Sequence, residues 1–177
     1  NGCYSDTLTI VVTEPALLQS DVTSTDVLCF GDNTGTAIVS VTGGTAPYFE
    51  DWLGEDPMQL SQGIYTVNIT DANGCVTASE VLIDQPTNLS VSISINEDQM
   101  SASASGGIPP YSYVWQFYGN QQGTSTTLGL TDDGTYTVIV TDANGCQDID
   151  EEYYEKEDET VSIAALSGLS IQLYPNP

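Results

Sequence analysis

Residues 63–75 read GIYTVNITDANGC, and residues 134–146 read GTYTVIVTDANGC. The Asn-Gly-Cys triplet that ends both segments also forms residues 1–3, so the triplet recurs about every 70 residues, a period typical of a domain-sized repeat. A second match supports this period, because residues 43–48 and residues 106–111 share the pattern Gly-Gly-x-x-Pro-Tyr. The sequence therefore predicts tandem copies of one folding unit.

The residue pattern within each copy predicts strands and tight turns. The segment before each Asp-Ala-Asn-Gly motif alternates apolar and polar residues, as expected for an antiparallel strand with one buried face. The glycine-containing motifs predict turns. The predicted fold class is all-β, with tandem immunoglobulin-like antiparallel β-sandwich repeats of about 70 residues. Trp52 and Trp115 are predicted core residues, and Asp132-x-Gly134-x-Tyr136 predicts a tyrosine corner.

Prolines and acidic residues divide the chain. Glu14-Pro15 and Gln85-Pro86 end two repeats, and residues 148–160 are so acidic that a solvated linker is expected there. Because the chain opens within a repeat, we expect it to be a C-terminal piece of a longer protein. The predicted parts are the end of a preceding repeat (1–15), a complete repeat (16–86), a repeat with a shortened N-terminal part (87–152), an acidic linker (153–169) and the start of another domain (170–177).

The charge of the chain limits its partners. It has 25 Asp and Glu residues against a single basic residue and no His, which gives a formal net charge of −24. Binding to nucleic acid depends on clustered Lys and Arg, so a nucleic-acid partner is not expected. No apolar stretch reaches the length of a membrane span, and we expect no direct membrane insertion. Two explanations of the acidic surface remain open, namely solubility in a saline extracellular medium and binding of divalent cations.

The four cysteines predict a disulfide framework rather than a metal site, because none is arranged as Cys-x-x-Cys. Cys29 and Cys75 occur in the same repeat and are the expected pair. Cys3 is expected to bond to a preceding repeat. Cys146 has no counterpart of Cys29 in its own repeat, and a free thiol is the interpretation that this leaves open.

The sequence gives little support to catalysis. A chain without His or Arg lacks the usual general base and anion-stabilising groups, and no nucleophile elbow is present. We therefore expect that the chain is not an enzyme and has no cofactor, with calcium as the one candidate ion.

Calcium prefers carboxylate and carbonyl oxygens, which the repeated turns provide. The candidate ligands are Asp71, Asn73, Asp142 and Asn144, with Asp32 and Asn33 or the acidic loop of Glu50, Asp51, Glu55 and Asp56 as further sites. The alternative is that Asp-Ala-Asn-Gly is an ordinary Asx-stabilised hairpin turn.

The motifs together resemble a known family. Gly-Gly-x-x-Pro-Tyr, a tryptophan strand and Gly-x-Tyr-Thr-Val-x-Ile/Val-Thr-Asp-Ala-Asn-Gly-Cys are similar to the SprB-type repeat of Bacteroidota cell-surface adhesins, over residues 1 to about 150. The second copy departs from the family by lacking the Cys29–Gly35 segment. Some members of the family serve gliding motility. The gliding adhesin carries a C-terminal sorting domain of a different type from the one that this chain resembles, so gliding is not inferred.

The C-terminus resembles an export signal. Its last residues look like the opening of the type A sorting domain of the type IX secretion system, and the motif consists of Leu173, Tyr174, Pro175, Asn176 and Pro177. This resemblance implies the type IX secretion machinery as a partner and display at the outer-membrane surface of a Gram-negative cell. Asp6-Thr7-Leu8 resembles an O-glycosylation acceptor of the same phylum, which would modify Thr7.

Two functions are compatible with these resemblances. The first is the stalk of a surface adhesin or filament, which holds a distal region away from the cell. The second is a carbohydrate-binding or accessory module of a secreted enzyme, with surface polysaccharide as the partner. Self-association is a further possible interaction. The residues predicted to bind a ligand lie in the insertion of the second copy and are Phe117, Tyr118 and Asn120, with Tyr48 and Tyr111 as further exposed aromatics.

Overall fold

A computed structural model describes residues 8–156 of the chain, and over this range the structure consists of twelve strands with no helix. The all-β fold class is confirmed, with several antiparallel sheets consistent with an immunoglobulin-like sandwich. Since the described part contains no helix, it also has none that could cross a membrane. The strands are β1 (Gln19–Thr25), β2 (Thr36–Thr42), β3 (Phe49–Asp51), β4 (Gly63–Thr70), β5 (Val76–Ile83), β6 (Ser90–Asn96), β7 (Gln99–Ser105), β8 (Ser112–Phe117), β9 (Asn120–Gly123), β10 (Thr127–Gly129), β11 (Gly134–Thr141) and β12 (Gln147–Tyr154).

The described chain divides into two compact units. The first unit contains residues 8–90 together with Ala104–Ser112 and Val140–Asp148. The second unit contains Val91–Ser103, Tyr113–Ile139 and residues 149–156. We call residues 16–86 the first repeat and residues 87–152 the second repeat. The first repeat therefore belongs to one unit, together with the loops of the second repeat that carry its Gly-Gly and Asn-Gly-Cys motifs.

Two sheets form the first repeat. β1 pairs with β2, and β3, β4 and β5 form the other sheet, with all pairings antiparallel. Alternation places one side of each sheet inward, so that Ala37 of β2 and Val67 and Ile69 of β4 meet in the core. Trp52 and Leu60 complete this core from the connection between β3 and β4. The predicted burial of Trp52 is confirmed, since only 8% of its surface is exposed.

The second repeat also contains two sheets, in the strand orders β10-β7-β6 and β12-β11-β8-β9. In the second unit, Trp115 is fully buried and donates its indole N–H to the Ser125 carbonyl at 2.9 Å. The predicted tyrosine corner is confirmed, because the Tyr136 hydroxyl donates to the Asp132 carbonyl at 3.1 Å. In the first repeat, the Tyr65 hydroxyl makes the equivalent bond to the carbonyl four residues earlier, that of Ser61, at 3.1 Å.

The prediction that residue 148 begins a solvated linker is wrong, because β12 continues to Tyr154. The strand is fixed by its side chains. Asp150 accepts a hydrogen bond from the Ile93 N–H at 2.9 Å, and the buried Tyr154 hydroxyl bonds to the Asp98 carboxylate. This bond and the burial of the ring raise the pKa of Tyr154 to about 12. Residues 147–154 therefore form an edge strand in spite of their high acidic content.

Several sequence predictions concern residues outside the described range. Cys3, Thr7 and the proposed sorting motif at residues 170–177 all lie there.

Because only Trp115 makes a short hydrogen bond through its indole N–H, replacing it should lower the free energy of unfolding more than replacing Trp52 does. The substitution Trp115→Phe leaves the Ser125 carbonyl without its donor, which costs about 2 kcal/mol in the free energy of unfolding. Trp52→Phe is the control, because the Trp52 indole N–H makes only a long 3.4 Å contact with Glu50, and its loss should be smaller. Denaturant unfolding followed by circular dichroism measures both. Equal losses for the two variants would contradict this account.

Candidate functional site

The motifs that recur in both repeats meet at one end of each sandwich, where a Gly-Gly turn lies against the Asp-Ala-Asn-Gly-Cys turn. Both glycines of each turn have positive φ. Gly106 is packed so tightly that a Cβ atom would lie 1.9 Å from the Asn88 carbonyl oxygen, and the same holds for Gly43 against Leu17. No other residue fits these positions, since the backbone conformation and the close approach both require glycine.

A buried aspartate joins the two turns. One carboxylate oxygen of Asp142 accepts the N–H groups of Asn144 and Cys146, each at 2.9 Å, and the other accepts the Ile108 N–H at 2.8 Å. In the first repeat, Asp71 accepts the equivalent three bonds from Asn73, Cys75 and Thr45 at 2.8–2.9 Å. Three backbone N–H bonds to one buried carboxylate therefore fix the turn in both repeats.

These hydrogen bonds keep the aspartates ionised. Burial by itself opposes the charged form of Asp142, but the backbone N–H donors, led by those of Ile108 and Cys146, outweigh it and hold the pKa below its usual value. The pKa of Asp71 is lowered for the same reason, with burial opposed by bonds from Cys75, Thr45 and Asn73.

The structure places the predicted calcium ligands in structural roles. The Asp71 and Asp142 carboxylates each accept three N–H bonds, as in an Asx-stabilised turn. Over residues 8–156, no group of three or more acidic, His or Cys side chains is placed to hold a metal. Calcium binding stays a prediction.

The acidic loop after β3 uses its carboxylates locally. Asp51 accepts the Leu53 N–H, and Asp56 accepts the Met58 N–H, both at 2.9 Å. Glu55 is exposed. The bonds of the two aspartates stabilise the turns of their own loop, where Leu53 has a positive φ of 61°.

The predicted Cys29–Cys75 disulfide is wrong. Cys29 bonds instead to Cys146, with an S–S distance of 2.01 Å, and Cys75 is an exposed free thiol. Cys146 is consequently not the free cysteine of the described chain. Both bonded cysteines belong to the first compact unit, in which the Asn-Gly-Cys turn of the second repeat lies beside the loop after β1.

Strand geometry explains why the expected pair cannot form. Cys75 directly precedes β5, whereas the Cys29 loop lies at the far end of that strand, where the Val27 N–H donates to the Asp84 carbonyl at 2.9 Å. β5 contains eight residues. At about 3.3 Å per residue, the strand separates the two cysteines by about 26 Å. A disulfide requires Cα atoms within about 7 Å of each other.

The Cys29–Cys146 bond is accompanied by a second contact. The Asn144 side-chain N–H donates to the Leu28 carbonyl at 2.8 Å, directly beside the disulfide. The Cys29 loop also lines a cleft with the Cys146 turn, to which Phe30 and Asp32 contribute. Asp32, one of the suggested calcium ligands, lies in this cleft, and its N–H donates to the Cys29 carbonyl at 3.2 Å. Sequence reasoning missed this contact because it paired Cys29 with the other cysteine of its own repeat.

The aromatic residues proposed to bind a ligand have mostly structural partners. The Tyr48 and Tyr111 hydroxyls donate to the Gly43 and Gly106 carbonyls at 2.7 and 2.6 Å, so both phenols support the Gly-Gly turns. In the second unit, Phe117 stacks on Tyr136 with ring centroids 4.5 Å apart.

The insertion of the second copy forms a hairpin rather than an open loop. Phe117 pairs with Asn120 across a two-residue turn of Tyr118 and Gly119, both with positive φ. Tyr118 is 78% exposed and its ring is 4.4 Å from that of Phe117. The Asn120 side chain donates to the Tyr118 carbonyl at 3.3 Å. Of the three predicted ligand-binding residues, Tyr118 alone presents a largely exposed ring.

Comparison with known protein families agrees with the repeat architecture. Residues 22–54 match the family model of the SprB repeat. The matched segment runs from β1 to just beyond Trp52 and supports a SprB-type repeat in this part of the chain. SprB repeats occur in cell-surface or secreted proteins, which supports an extracellular or surface location and suggests an adhesin-like repeat protein. No curated protein matches the chain.

The lowered pKa of Asp142 predicts how stability depends on pH. A carboxyl group with a folded-state pKa below its unfolded value of about 3.9 stabilises the fold above that pH, and this contribution is lost as the pH falls through the folded-state value. Asp142→Asn should lower the melting temperature at pH 7 and reduce its decline below about pH 4. Melting curves from pH 7 downward measure this, with the exposed Asp21→Asn as control. An Asp142→Asn curve parallel to that of the unsubstituted protein would contradict the assignment.

Proposed function

We propose that the protein is the stalk of a cell-surface adhesin or surface filament and that its repeats bear tension. The SprB match and the tandem β-sandwiches support a surface repeat protein. The single observation on which the stalk role rests is the Cys29–Cys146 disulfide, because of what it encloses.

The disulfide provides a covalent bypass for force. It connects residues 117 positions apart, so tension that enters at one end of the chain passes from Cys29 to Cys146 through the S–S bond. Strands β2 to β11 lie inside the closed loop and are relieved of this tension, whereas β1 and β12 remain in the loaded path. Protection of these strands from tension is useful in a stalk that bears load, whereas a module that only binds a soluble ligand has little need of it.

The location of the stalk follows from the proposed export route. We propose that the Leu173–Pro177 segment begins a sorting signal and that the type IX secretion machinery exports the chain to the outer-membrane surface. The oxidising conditions outside the cytosol are those in which disulfides form and persist.

The alternative, a carbohydrate-binding module, depends on Tyr118. Its ring is exposed, and aromatic rings on loops commonly contact sugars. The neighbouring Phe117 ring and the phenols of Tyr48 and Tyr111 already have partners in the fold. An isolated exposed ring is a weaker basis than the disulfide, and the stalk is therefore preferred.

Single-molecule stretching of the full chain, held by its two ends, tests the stalk proposal. With the disulfide intact, the 117-residue segment between the cysteines cannot extend, and reduction should lengthen the fully unfolded chain by about 400 Å at about 3.6 Å per residue. Cys29→Ser should give the longer extension without reductant. Cys75→Ser is the matched control and should behave like the unsubstituted chain. Equal extension before and after reduction would exclude the force bypass.

A further inference from the structure

We propose that the cleft around the free thiol of Cys75 is a docking site for a second Cys-Phe-Gly-Asp loop, of the Cys29–Gly35 type, from another repeat. The docked loop would form a disulfide with Cys75. The proposal depends on the internal repeat of this chain and stands whether or not the protein is a stalk.

The two repeats present the same surface, which in one of them is occupied. Pro86, Leu89, Gly107 and Cys146 line one cleft together with residues of the Cys29 loop. Their equivalents line a cleft of about 270 Å³ in the first repeat, and these are Pro15, Leu18, Gly44 and Cys75. Because Cys146 bonds to a loop seated at this surface, the repeat itself provides the comparison for Cys75.

The backbone that positions each cysteine is also the same. The Asp142 N–H donates to the Cys146 carbonyl at 3.0 Å, and the Asp71 N–H donates to the Cys75 carbonyl at 2.9 Å. The Gly107 N–H donates to the Thr87 carbonyl at 2.9 Å, and the Gly44 N–H donates to the Ala16 carbonyl at 2.7 Å. Cys75 is therefore held in the conformation that permits a disulfide at Cys146.

One polar contact distinguishes the occupied surface from the open one. Asn144 donates to the Leu28 carbonyl of the docked loop, whereas the equivalent Asn73 donates to the Thr45 hydroxyl at 2.9 Å. Asn73 and Cys75 are both exposed. The geometry assigns to Asn73 the role of donating to the carbonyl that precedes the incoming cysteine, after it leaves Thr45.

The open surface is more apolar than the occupied one. Leu17 and Val76 replace Asn88 and Gln147 at equivalent positions of the cleft. Leu17 is 77% exposed and Val76 is 64% exposed, an unfavourable state for two apolar side chains that flank one cleft. A docked loop with an aromatic residue after its cysteine would cover part of both side chains, since Phe30, which follows Cys29, lines the cleft beside Cys146 and is 53% exposed there.

The bond formation is an ordinary thiol–disulfide exchange. The partner cysteine first forms a mixed disulfide with a small thiol or a protein oxidant. The Cys75 thiolate then attacks the sulfur of the partner cysteine, and the small thiol or the oxidant's thiol leaves. One S–S bond forms and one breaks. The overall oxidation of two thiols requires this disulfide oxidant as the electron acceptor, which is reduced to its thiols.

Coupling between two copies of the full chain tests the proposal. The donor has Cys3→Ser, Cys75→Ser and Cys146→Ser, which leaves Cys29 to be activated as a mixed disulfide with thionitrobenzoate. The acceptor has only Cys3→Ser, so that Cys75 is its free thiol. Release of thionitrobenzoate gives the coupling rate, and peptide mapping identifies the Cys29–Cys75 product. A synthetic peptide of residues 27–35, activated at Cys29, is a second donor that requires no fold.

The control acceptor moves the thiol to another exposed site, with Cys75→Ser and Ser61→Cys. After each rate is divided by that of the same thiol with a small aromatic disulfide, Cys75 should couple about tenfold faster than the control. Leu17→Asp should abolish this advantage, while Ile64→Asp, the same added charge at another exposed apolar position, should preserve it. Asn73→Ala should reduce it. Equal normalised rates for the two thiols, or loss of the advantage with Ile64→Asp alone, would overturn the docking site.

Discussion

One buried carboxylate in each repeat determines where the cysteine of the Asn-Gly-Cys turn is placed. Asp71 or Asp142 receives hydrogen bonds from two N–H groups of its own turn and from one N–H beyond the Gly-Gly motif. The glycines allow this arrangement, since a side chain at Gly107 would lie 2.7 Å from the carboxylate oxygen of Asp142. Without the carboxylate, three backbone donors would lack a partner and the turn would not have a fixed position.

This local arrangement has a consequence beyond its own repeat. Because the turn is fixed, the Cys146 sulfur and the Asn144 amide meet the Cys29 loop together, one through a covalent bond and the other through a hydrogen bond. Within residues 8–156, the same turn in the first repeat presents Cys75 and Asn73 without a partner loop. The turn thus acts as a connector, and the loop with the other cysteine acts as its counterpart. A protein built from many such repeats could be linked from one repeat to the next in this way.

Periodicity predicted the fold well because the determining signals are local. Alternation along β4 and β11, the burial of Trp115 and the Tyr136 corner all follow from residues close together in sequence. The cysteine pairing depends on which end of a strand each residue occupies. Cys29 and Cys75 belong to one repeat, yet β5 separates them, and composition contains no such information. The direction of β5 could have excluded this pair, but it could not have identified Cys146 as the partner.

At the acidic end of the second repeat, the secondary structure was predicted wrongly, because composition was given more weight than the contacts of the side chains. The charge of this end predicted a linker, whereas the contacts of Tyr154 with Asp98 and of Asp150 with the Ile93 N–H hold it as a strand. Tyr48, Tyr111 and Phe117 were similarly proposed as ligand contacts on the basis of residue type. Their roles in supporting turns and packing depend on contacts with residues that a single sequence does not bring together.

A disulfide joins the Asn-Gly-Cys turn of one repeat to the cysteine loop of the repeat before it. Proteolysis of the oxidised, thiol-blocked chain, followed by mass spectrometry without reduction, tests it most directly. We expect a linked pair of peptides containing Cys29 and Cys146, together with a blocked Cys75. A linked pair containing Cys29 and Cys75 would contradict it.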